Sequence, residues 1–386
     1  MEKGFYCFTA LIMKKEMFLM DKKVRAGIVG GSINNGWARG THIPAMEHLN
    51  ELELIAVGTS NMESAKKSAE AFKATHAFDK VEDLAQHPDV DMVVVSINVK
   101  DHYDAVKAIV PAEKPIYCEW PLGSNTTEAL EMQEWVESRQ LPNAIGLQAR
   151  QAPAINYVKD LLAEGYVGKV LSANLKISID GMGGVADKAT AYLFDRKIGG
   201  NLLTIVGGHN LDAFTYMLGE FKELSAVTAQ QFPEVELVDI QKVIEKTTDD
   251  QILITGKLTN GAAASVHIQG GVKHQTGYTL EIFGDKGTIV LNAPASIQFG
   301  SHQLQGAGPT DKELHELTIP DTYYWVPDAL KNDAGFVLNV AQAHSKFAKD
   351  IQEGTSLTPS FADAVKLHQL LDAVEKAAHT GERQYL

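Results

Sequence analysis

A glycine-containing segment near the start of the chain has the composition of a phosphate-binding turn. Residues 24–30 are mainly apolar and predict a buried strand that ends at Gly30. Gly36 follows before a helical stretch through residues 41–45. Glycine lets the backbone approach a pyrophosphate, and free N–H groups at a helix start stabilise its charge. Ser32 stands at the second glycine position of G-x-G-x-x-G, so an ordinary tight turn is the alternative to a dinucleotide loop.

The elements that must position this loop favour the dinucleotide interpretation. Residues 52–58 and 91–96 are apolar runs typical of buried strands, and residues 65–72 have a helical pattern between them. Alternation of strand and helix predicts a parallel, doubly wound sheet, which binds ligands at the carboxyl ends of its strands. The predicted loop contacts to the dinucleotide are Gly30, Ser32, Ile33 and Gly36.

The residues after the second predicted strand favour NADP over NAD. An acidic residue at this point would bind the ribose 2′-hydroxyl of NAD, but Thr59 and Ser60 stand there instead. Ser60 can donate to a 2′-phosphate and Lys66 can add positive charge, although a lysine on a helix more often belongs to a solvated face. NADP is therefore the preferred cofactor, and NAD is the other possibility.

A second candidate segment is residues 114–123, Lys-Pro-Ile-Tyr-Cys-Glu-Trp-Pro-Leu-Gly. Two further landmarks are His102, which follows the predicted strand 91–96, and a Gly-Gly pair at 199–200 that leads to His209 and Asp212. These landmarks make the chain from about residue 24 onward similar to the Gfo/Idh/MocA oxidoreductase family. The resemblance implies a Rossmann domain followed by a domain with a large, mostly antiparallel sheet whose outer face makes a dimer interface.

The resemblance also implies a modified acid–base set. In typical members a lysine after the glutamate lies beside the substrate and the nicotinamide, and an aspartate four residues before the histidine completes the set. Here Trp120 occupies the lysine position and Ile205 the aspartate position, so His209 is the member that remains. Neither substitute can transfer a proton or stabilise an alkoxide as a cation would.

Several motifs resemble a narrower subgroup, similar to the fungal galactose-regulon inhibitor protein, a non-catalytic, dinucleotide-binding relative that controls a transcriptional activator. The segments with this likeness are residues 35–38, 97–99, 119–120, 146–148 and 207–209. The resemblance thus leaves two hypotheses. One is an NADP-dependent dehydrogenase or reductase for a secondary alcohol on a sugar or polyol, and the other is a catalytically silent NADP-binding protein with a protein partner.

The motifs supply the remaining site candidates. His209 is the predicted proton-transfer residue, and Tyr192 and Lys197 are candidates because they precede the Gly-Gly pair and can titrate or donate, although a surface position is the alternative. Arg150 is a further candidate for lining the site. The cofactor-binding candidates outside the loop and the ribose end are Trp37, Ile97, His102, Glu119, Trp120 and Gln148.

The length of 386 residues predicts two domains. We expect a poorly ordered extension at 1–22, a Rossmann domain at 23–143 and an α+β substrate and dimerisation domain at 144–386. Alternating runs predict strands near 170–179, 224–231, 251–258, 262–270, 278–283 and 288–291. A final helix is predicted from capping residues Ser360 and Asp363 to a stop at Gly381.

Composition restricts the partners. The net charge of −14 argues against general nucleic-acid binding, and no apolar run reaches membrane length. Two widely separated cysteines fit a reducing compartment, so a cytoplasmic location is expected. The 13 histidines show no His-Glu-x-x-His or Cys/His spacing, and the sequence therefore predicts no metal site.

Overall fold

The computed structural model describes residues 23–34, 36–298, 301–331 and 336–386. The extension predicted at 1–22 lies outside these residues. Among the helices of the described part, none is both long enough and apolar enough to cross a membrane.

A parallel sheet of six strands, in the order β3-β2-β1-β4-β5-β6, forms the N-terminal layer. Its strands are β1 (Val24–Val29), β2 (Leu52–Gly58), β3 (His76–Phe78), β4 (Met92–Val95), β5 (Ile116–Glu119) and β6 (Asn143–Gly146). All four residues of β4 are buried, as expected for a strand covered on both faces. The Rossmann sheet predicted from the sequence is thereby confirmed.

Helices cover this sheet in the sequence positions that a doubly wound fold requires. They are α1 (Trp37–Gly40), α2 (His42–His48), α3 (Met62–Ala71), α4 (Val81–Gln86), α5 (His102–Ile109) and α6 (Thr126–Glu137). The side chains of Asn61 and Asn125 accept backbone N–H groups at the starts of α3 and α6. Each asparagine thus satisfies a donor that has no partner inside its helix.

The second layer is a mixed sheet of nine strands in the order β17-β16-β15-β14-β7-β13-β12-β9-β18. Its pairings are antiparallel except that of β7 with β13, and a separate small sheet has the order β11-β10-β8. The strands are β7 (Val170–Ser178), β8 (Val185–Ala186), β9 (Phe221–Ala229), β10 (Glu234–Leu237), β11 (Lys242–Glu245), β12 (Gln251–Leu258), β13 (Ala263–Gln269), β14 (Gly277–Gly284), β15 (Thr288–Ala293), β16 (Gln303–Ala307), β17 (His315–Glu316) and β18 (Gln384–Tyr385). This large, mostly antiparallel sheet confirms the predicted fold class.

The helices of the second half are α7 (Pro153–Ala163), α8 (Gly208–Leu218), α9 (Asp328–Lys331), α10 (Val337–Glu353) and α11 (Phe361–Thr380). A π-helix, Leu202–Gly207, runs directly into α8. At the start of α11, Ser360 and Asp363 form a reciprocal capping box, and Gly381 ends the helix at a positive φ of 71°. The sequence predicted this helix and its caps correctly.

The boundary between the two predicted domains falls inside a strand. The last strand of the parallel sheet, β6, spans residues 143–146 and pairs with β5. The division at 143/144 stays a prediction, whereas the sheet itself continues to Gly146. Within β6, the Ile145 N–H donates to the Pro359 carbonyl at 2.8 Å. A later part of the chain therefore covers this edge of the sheet.

Helix α10 returns from the second half of the chain to the first sheet. Its buried residues Val340 and Phe347 belong to the same apolar cluster as Ile28 of β1 and Met92 of β4. Phe347 also lies with its ring centroid 6.1 Å from that of Tyr117 on β5. The N-terminal core is therefore completed by residues more than 200 positions later in the sequence.

We predict that Phe347→Ala destabilises the protein by about 3–5 kcal/mol, because it removes a buried aromatic ring that the core cannot replace. Urea unfolding followed by circular dichroism measures the change. Lys349→Ala, on the exposed side of the same helix, should change stability by less than about 0.5 kcal/mol. Equal effects of the two substitutions would show that α10 is not part of the N-terminal core.

Candidate functional site

A cavity of about 280 Å³ lies where the carboxyl ends of β4 and β5 face the second domain. Many of the residues predicted from motifs line it together. These are Trp37, Ile97, His102, Glu119, Trp120, Gln148, Tyr192 and His209. The position agrees with the rule that ligands of open α/β sheets bind beyond the carboxyl ends of the strands.

Other lining residues were not among the predicted site residues, although Asn98, Val99, Pro121 and Ile205 lie in segments or positions named in the sequence analysis. They are Ser96, Asn98, Val99, Pro121, Ile179, Ile205, Val206, Ser296 and Gln298. Ser296 and Gln298 follow β15 of the large sheet, far along the chain from β4 and β5, so only the fold brings them here. Ser296 donates to Gln298 Oε1 at 3.2 Å and receives a hydrogen bond from Asn210 at 3.1 Å.

The glycine loop at the end of β1 is built around close backbone approach. Gly30 has φ 95°, and a Cβ there would lie 2.1 Å from the Ser96 carbonyl oxygen at the end of β4. Gly36 has φ 111° with nothing within 4 Å of the Cβ position, and it caps α1. The Ile33 N–H donates to Ser68 Oγ of α3 at 3.0 Å, which holds the loop against that helix. The loop residues predicted from sequence therefore surround the start of α1.

The residues predicted for the ribose end lie apart from the cavity, at the end of β2. Ser60 and Lys66 are exposed, and the Thr59 hydroxyl donates to the Asn61 carbonyl at 2.9 Å. Lys67 is held by Glu63 at 2.8 Å. Ser60 and Lys66 therefore face solvent beside the carboxyl edge of the sheet, where the adenosine end of a dinucleotide binds in this fold.

Trp120 joins three elements at the cavity. Its indole N–H donates to the Thr204 carbonyl of the π-helix at 2.7 Å, and its ring lies 4.7 Å from that of His368 on α11. A Cβ on Gly208 would come within 2.5 Å of the Trp120 Nε1 atom. Gly208 thus makes room for the indole, and the π-helix presents the carbonyl that accepts its N–H. Segments of π-helix are frequent at functional sites.

His209 is the titratable group next to these apolar substitutions. Its side chain is buried, and burial lowers its pKa to about 3. Its Nδ1 atom finds no hydrogen-bond partner within the described residues. Ile205 and Trp120 line the same cavity, so His209 faces the two positions where a charged pair is missing. The imidazole is neutral around pH 7 and can accept a proton.

Glu119 begins a buried chain of polar groups. Its Oε1 atom lies 3.1 Å from His42 Nε2 without hydrogen-bond geometry, and His42 Nδ1 lies 2.7 Å from His344 Nε2. Burial raises the pKa of Glu119 to about 8, against the opposing effect of His102, and lowers that of His42 to about 3. Both partners are therefore neutral near pH 7, and their contact is not an ion pair.

His102 lines the cavity between two backbone carbonyl groups. Nδ1 lies 2.8 Å from the Pro121 carbonyl and Nε2 lies 3.1 Å from the Ile97 carbonyl. Burial lowers its pKa, and the two carbonyls oppose that shift. A neutral imidazole has one N–H, so the tautomer decides whether His102 donates to the segment after β4 or to the segment after β5.

Two candidates lie elsewhere. Arg150, predicted to line the site, instead pairs with Asp212 at 2.6 Å and with Asp363 at 3.2 Å beside a separate polar cavity. Its ion pairs join α8 to the capping box of α11, which the sequence could not reveal because the three residues are far apart. The side chain of Lys197 is exposed and is not among the residues that line the main cavity.

The main cavity has the polar atoms that a bound dinucleotide requires. Buried atoms of its lining find no hydrogen-bond partner within the residues that the structure describes: Trp37 Nε1, Ser96 Oγ, Glu119 Oε1, Gln148 Oε1 and His209 Nδ1. Buried polar groups are normally paired, so unpaired ones around one cavity indicate a polar ligand. The residues present therefore fit a nicotinamide end at this cavity and a phosphate at the glycine loop.

Two family models match the chain in succession. The model described as "Oxidoreductase family, NAD-binding Rossmann fold" matches residues 24–146, and that described as "Gal80p, C-terminal domain" matches residues 153–293. Residues 24–146 therefore match the Gfo/Idh/MocA oxidoreductase family, and residues 153–293 are similar to the C-terminal domain of Gal80p. The first domain of the chain has the NAD-binding Rossmann fold of that oxidoreductase family.

Curated relatives divide between enzymes and a regulator. The dehydrogenase aclE of Aspergillus oryzae is 28% identical over 94% of this chain and 98% of that protein. The galactose/lactose metabolism regulatory protein GAL80 of Kluyveromyces lactis is 31% identical over 71% of this chain and 65% of that protein. Levoglucosan dehydrogenase of Pseudarthrobacter phenanthrenivorans is 27% identical over 83% of this chain and 86% of that protein.

Solved structures show the same division. Gal80p from Kluyveromyces lactis superposes with a TM-score of 0.80 at 26% identity, covering 95% of this chain and 92% of that chain. Levoglucosan dehydrogenase in complex with NADH and levoglucosan has a TM-score of 0.82 at 22% identity, covering 94% and 99%. The fold is therefore shared by a transcriptional regulator and a dehydrogenase.

We predict that Gly208→Ala displaces Trp120 and costs about 1–3 kcal/mol, since its added methyl overlaps the indole. Urea unfolding measures the cost, and near-ultraviolet circular dichroism reports the indole. Gly181→Ala is the matched control, because nothing lies within 4 Å of its Cβ position. Trp120→Phe should reduce the penalty of Gly208→Ala in a double-mutant cycle; additive effects would contradict the contact.

Buried histidines predict loss of stability in acid. Burial lowers the pKa of His368 to about 4 and that of His209 to about 3, whereas the unfolded chain binds these protons near the ordinary value of about 6.5. The unfolded state thus binds more protons below that pH, and the free energy of unfolding falls as pH falls. Each group contributes at most about 1.4 kcal/mol per pH unit.

Urea midpoints measured between pH 7 and pH 5 test this slope. His368→Gln should make the slope shallower, because it removes one such group without touching the Glu119 contact. His379→Gln, which changes an exposed histidine of the same helix, is the matched substitution. Identical slopes for His368→Gln and wild type would exclude the contribution of His368.

Proposed function

We propose that the protein is an NADP(H)-dependent oxidoreductase that acts on a secondary alcohol of a sugar or polyol, or on the corresponding ketone. The observation that carries the proposal is a buried, neutral His209 in a cavity whose lining has unpaired polar atoms. Similarity to proteins named as dehydrogenases, including levoglucosan dehydrogenase, supports the substrate class.

The preference for NADP rests on the end of β2. An acidic side chain there would repel a 2′-phosphate, and the chain has Thr59 and Ser60 instead. Ser60 is free to donate from an exposed position, and Lys66 on α3 adds a positive charge nearby. NAD is the competing cofactor, because an NADH complex is described for levoglucosan dehydrogenase.

The cavity divides the chemistry between cofactor and protein. A bound nicotinamide supplies the hydride acceptor or donor. We assign acceptance of the hydroxyl proton during oxidation to His209, because its imidazole is unprotonated and lines the cavity. Tyr192 lines the same cavity, and burial raises its pKa, so it remains a hydrogen-bond donor to the substrate oxygen. Lys197 is proposed only to assist His209, because its side chain is exposed and lies outside the cavity lining.

Trp120 and Ile205 shape the substrate side of the cavity. The Trp120 indole is held by Thr204 and Gly208, so its ring is a rigid apolar surface. Such a surface can pack against the apolar face of a sugar ring. Trp120 and Ile205 thus replace two charged residues beside the reacting oxygen with apolar surfaces. Proton transfer is then assigned to His209.

We propose a homodimer through the large sheet. Val227 of β9 and Leu253 of β12 are direct cross-strand partners and are 63% and 42% exposed. Exposed large apolar side chains adjacent on one sheet face are typical of an interface. The proposed location is the cytoplasm, with neither nucleic acid nor membrane as a partner.

The second candidate function is a catalytically silent, NADP-binding regulator of a partner protein. Trp120 and Ile205 favour it directly, because they occupy the positions of the family's charged pair. The 31% identity to the galactose/lactose regulatory protein supports it further. This function requires that the affinity for the partner change with nucleotide, and equal affinity with and without NADP would count against it.

We predict that His209→Ala lowers turnover by roughly 10²-fold or more while nucleotide affinity stays within a few-fold of wild type. The assay follows the reduced-nicotinamide absorbance band with NADP⁺ and NAD⁺ across aldoses, polyols and sugar acids, and calorimetry measures binding. His379→Ala, which changes an exposed histidine of α11, is the matched control and should retain full activity.

The outcomes separate the two functions. Turnover by wild type that His209→Ala abolishes supports the enzyme with His209 as the base. Turnover that His209→Ala leaves unchanged supports an enzyme but removes His209 from the role. Nucleotide bound without turnover across the whole panel contradicts the enzyme and favours the regulator.

A further inference from the structure

Two histidines and one aspartate converge on the N-terminal domain, away from the main cavity. His76 begins β3, His87 follows α4, and Asp89 lies in the loop before β4. His76 Nε2 is 3.0 Å from Asp89 Oδ2, His87 Nδ1 is 4.0 Å from the same oxygen, and all three ligand atoms lie within 4.8 Å of one another. The sequence did not indicate this group, because its spacing matches no metal motif.

The position separates this cluster from the proposed nucleotide site. His76 is the first residue of its strand and Asp89 precedes the next one, so the cluster lies towards the amino ends of the parallel strands. The cavity residues Ile97 and Glu119 lie at the carboxyl ends of β4 and β5. A ligand of the cluster would therefore not contact the nicotinamide cavity.

The atoms offered are those of a transition-metal site. Two imidazole nitrogens and one carboxylate oxygen suit Zn²⁺ and related divalent ions, and three protein ligands leave one position for water. Ligand bonds of about 2.0–2.2 Å place tetrahedral ligand atoms roughly 3.4 Å apart. The distances of 3.0 and 4.0 Å lie on either side of that value, so small side-chain rotations complete the geometry.

Arg25 orients the carboxylate. Its Nη1 donates to Asp89 Oδ1 at 2.9 Å, which leaves Oδ2 directed to the two imidazoles. The charge of Arg25 is in turn balanced by Asp91, which accepts from Nε and from Nη2, each at 2.9 Å. Outer partners of this kind fix the orientation of metal ligands and are a regular part of such sites.

The imidazoles are also held in place. Their ring centroids are 4.1 Å apart, and Phe78 packs 5.5 Å from His87. The Asp89 N–H donates to His87 Nδ1 at 3.3 Å, so this nitrogen carries a lone pair, and metal binding replaces the hydrogen bond. The side chains of His76 and His87 are each 25% exposed and that of Asp89 47%, so an ion can enter from solvent.

We propose that His76, His87 and Asp89 bind one divalent transition ion of the Zn²⁺ class. The ion links the edge strand β3 to the loop between α4 and β4, and so stabilises the edge of the sheet. The alternative is a simple His–Asp hydrogen bond without metal affinity. The proposal is independent of the oxidoreductase proposal, since none of its ligands lines the nucleotide cavity.

Calorimetric titration of the metal-stripped full chain with Zn²⁺ and with Co²⁺ tests the site. The chain carries Cys7→Ser and no histidine tag, so that neither competes for the ion. We expect binding of one ion per chain, a Co²⁺ absorption spectrum typical of four-coordinate nitrogen and oxygen ligands, and a higher unfolding temperature with Zn²⁺. His76→Gln and Asp89→Asn should each weaken binding by at least about 10-fold and remove the thermal shift.

The matched control is His315→Gln. His315 and Asp311 form an exposed His–Asp pair at 4.0 Å with no third ligand among the described residues, so this substitution should leave the affinity unchanged. Unfolding of the metal-free variants establishes that each one is folded. Stoichiometric binding retained by both His76→Gln and Asp89→Asn, or no binding by wild type, would overturn the proposal.

Discussion

Burial of the Trp120 indole at the junction of the two domains is the constraint on which the site depends. The indole needs a carbonyl to accept its N–H, a glycine to leave it space and a partner ring to pack on, and these come from Thr204, Gly208 and His368. Once the indole is in place, the π-helix, the start of α8 and the face of α11 have little freedom to move apart.

The electrostatic consequence is a site made of neutral groups. Desolvation raises the pKa of Glu119 and lowers those of His42 and His209, so the interior next to the cavity has little fixed charge at neutral pH. A site of this kind favours shape over charge in choosing its ligand. It also explains how one scaffold serves a dehydrogenase and a regulator, because nucleotide binding depends on the loop and the sheet, whereas chemistry depends on a few side chains.

The sequence predicted those parts of the fold whose signals are local. Strand 52–58 was predicted to the residue because its ends coincide with clear changes in pattern, and α11 was predicted because its caps are coded within a few positions. The lining residues Glu119, Trp120, Gln148 and His209 were found through motifs. Arg150 was misplaced because its carboxylate partners are 62 and 213 residues away, and no local pattern records them. The cluster of His76, His87 and Asp89 was also missed, because the order of strands in the sheet, and not spacing in the sequence, brings these residues together.

The return of α10 to the first sheet has a consequence for how the chain is made. Domains generally fold in order as they leave the ribosome. Here the strands of the first sheet can form early. The covering of Ile28 and Met92, however, is completed by helix α10, which ends at Glu353, near the end of the chain. During synthesis that apolar face is uncovered for most of the elongation time. The nascent first sheet therefore exposes apolar surface until translation is nearly complete, and a chain truncated before α10 lacks the helix that covers Ile28 and Met92.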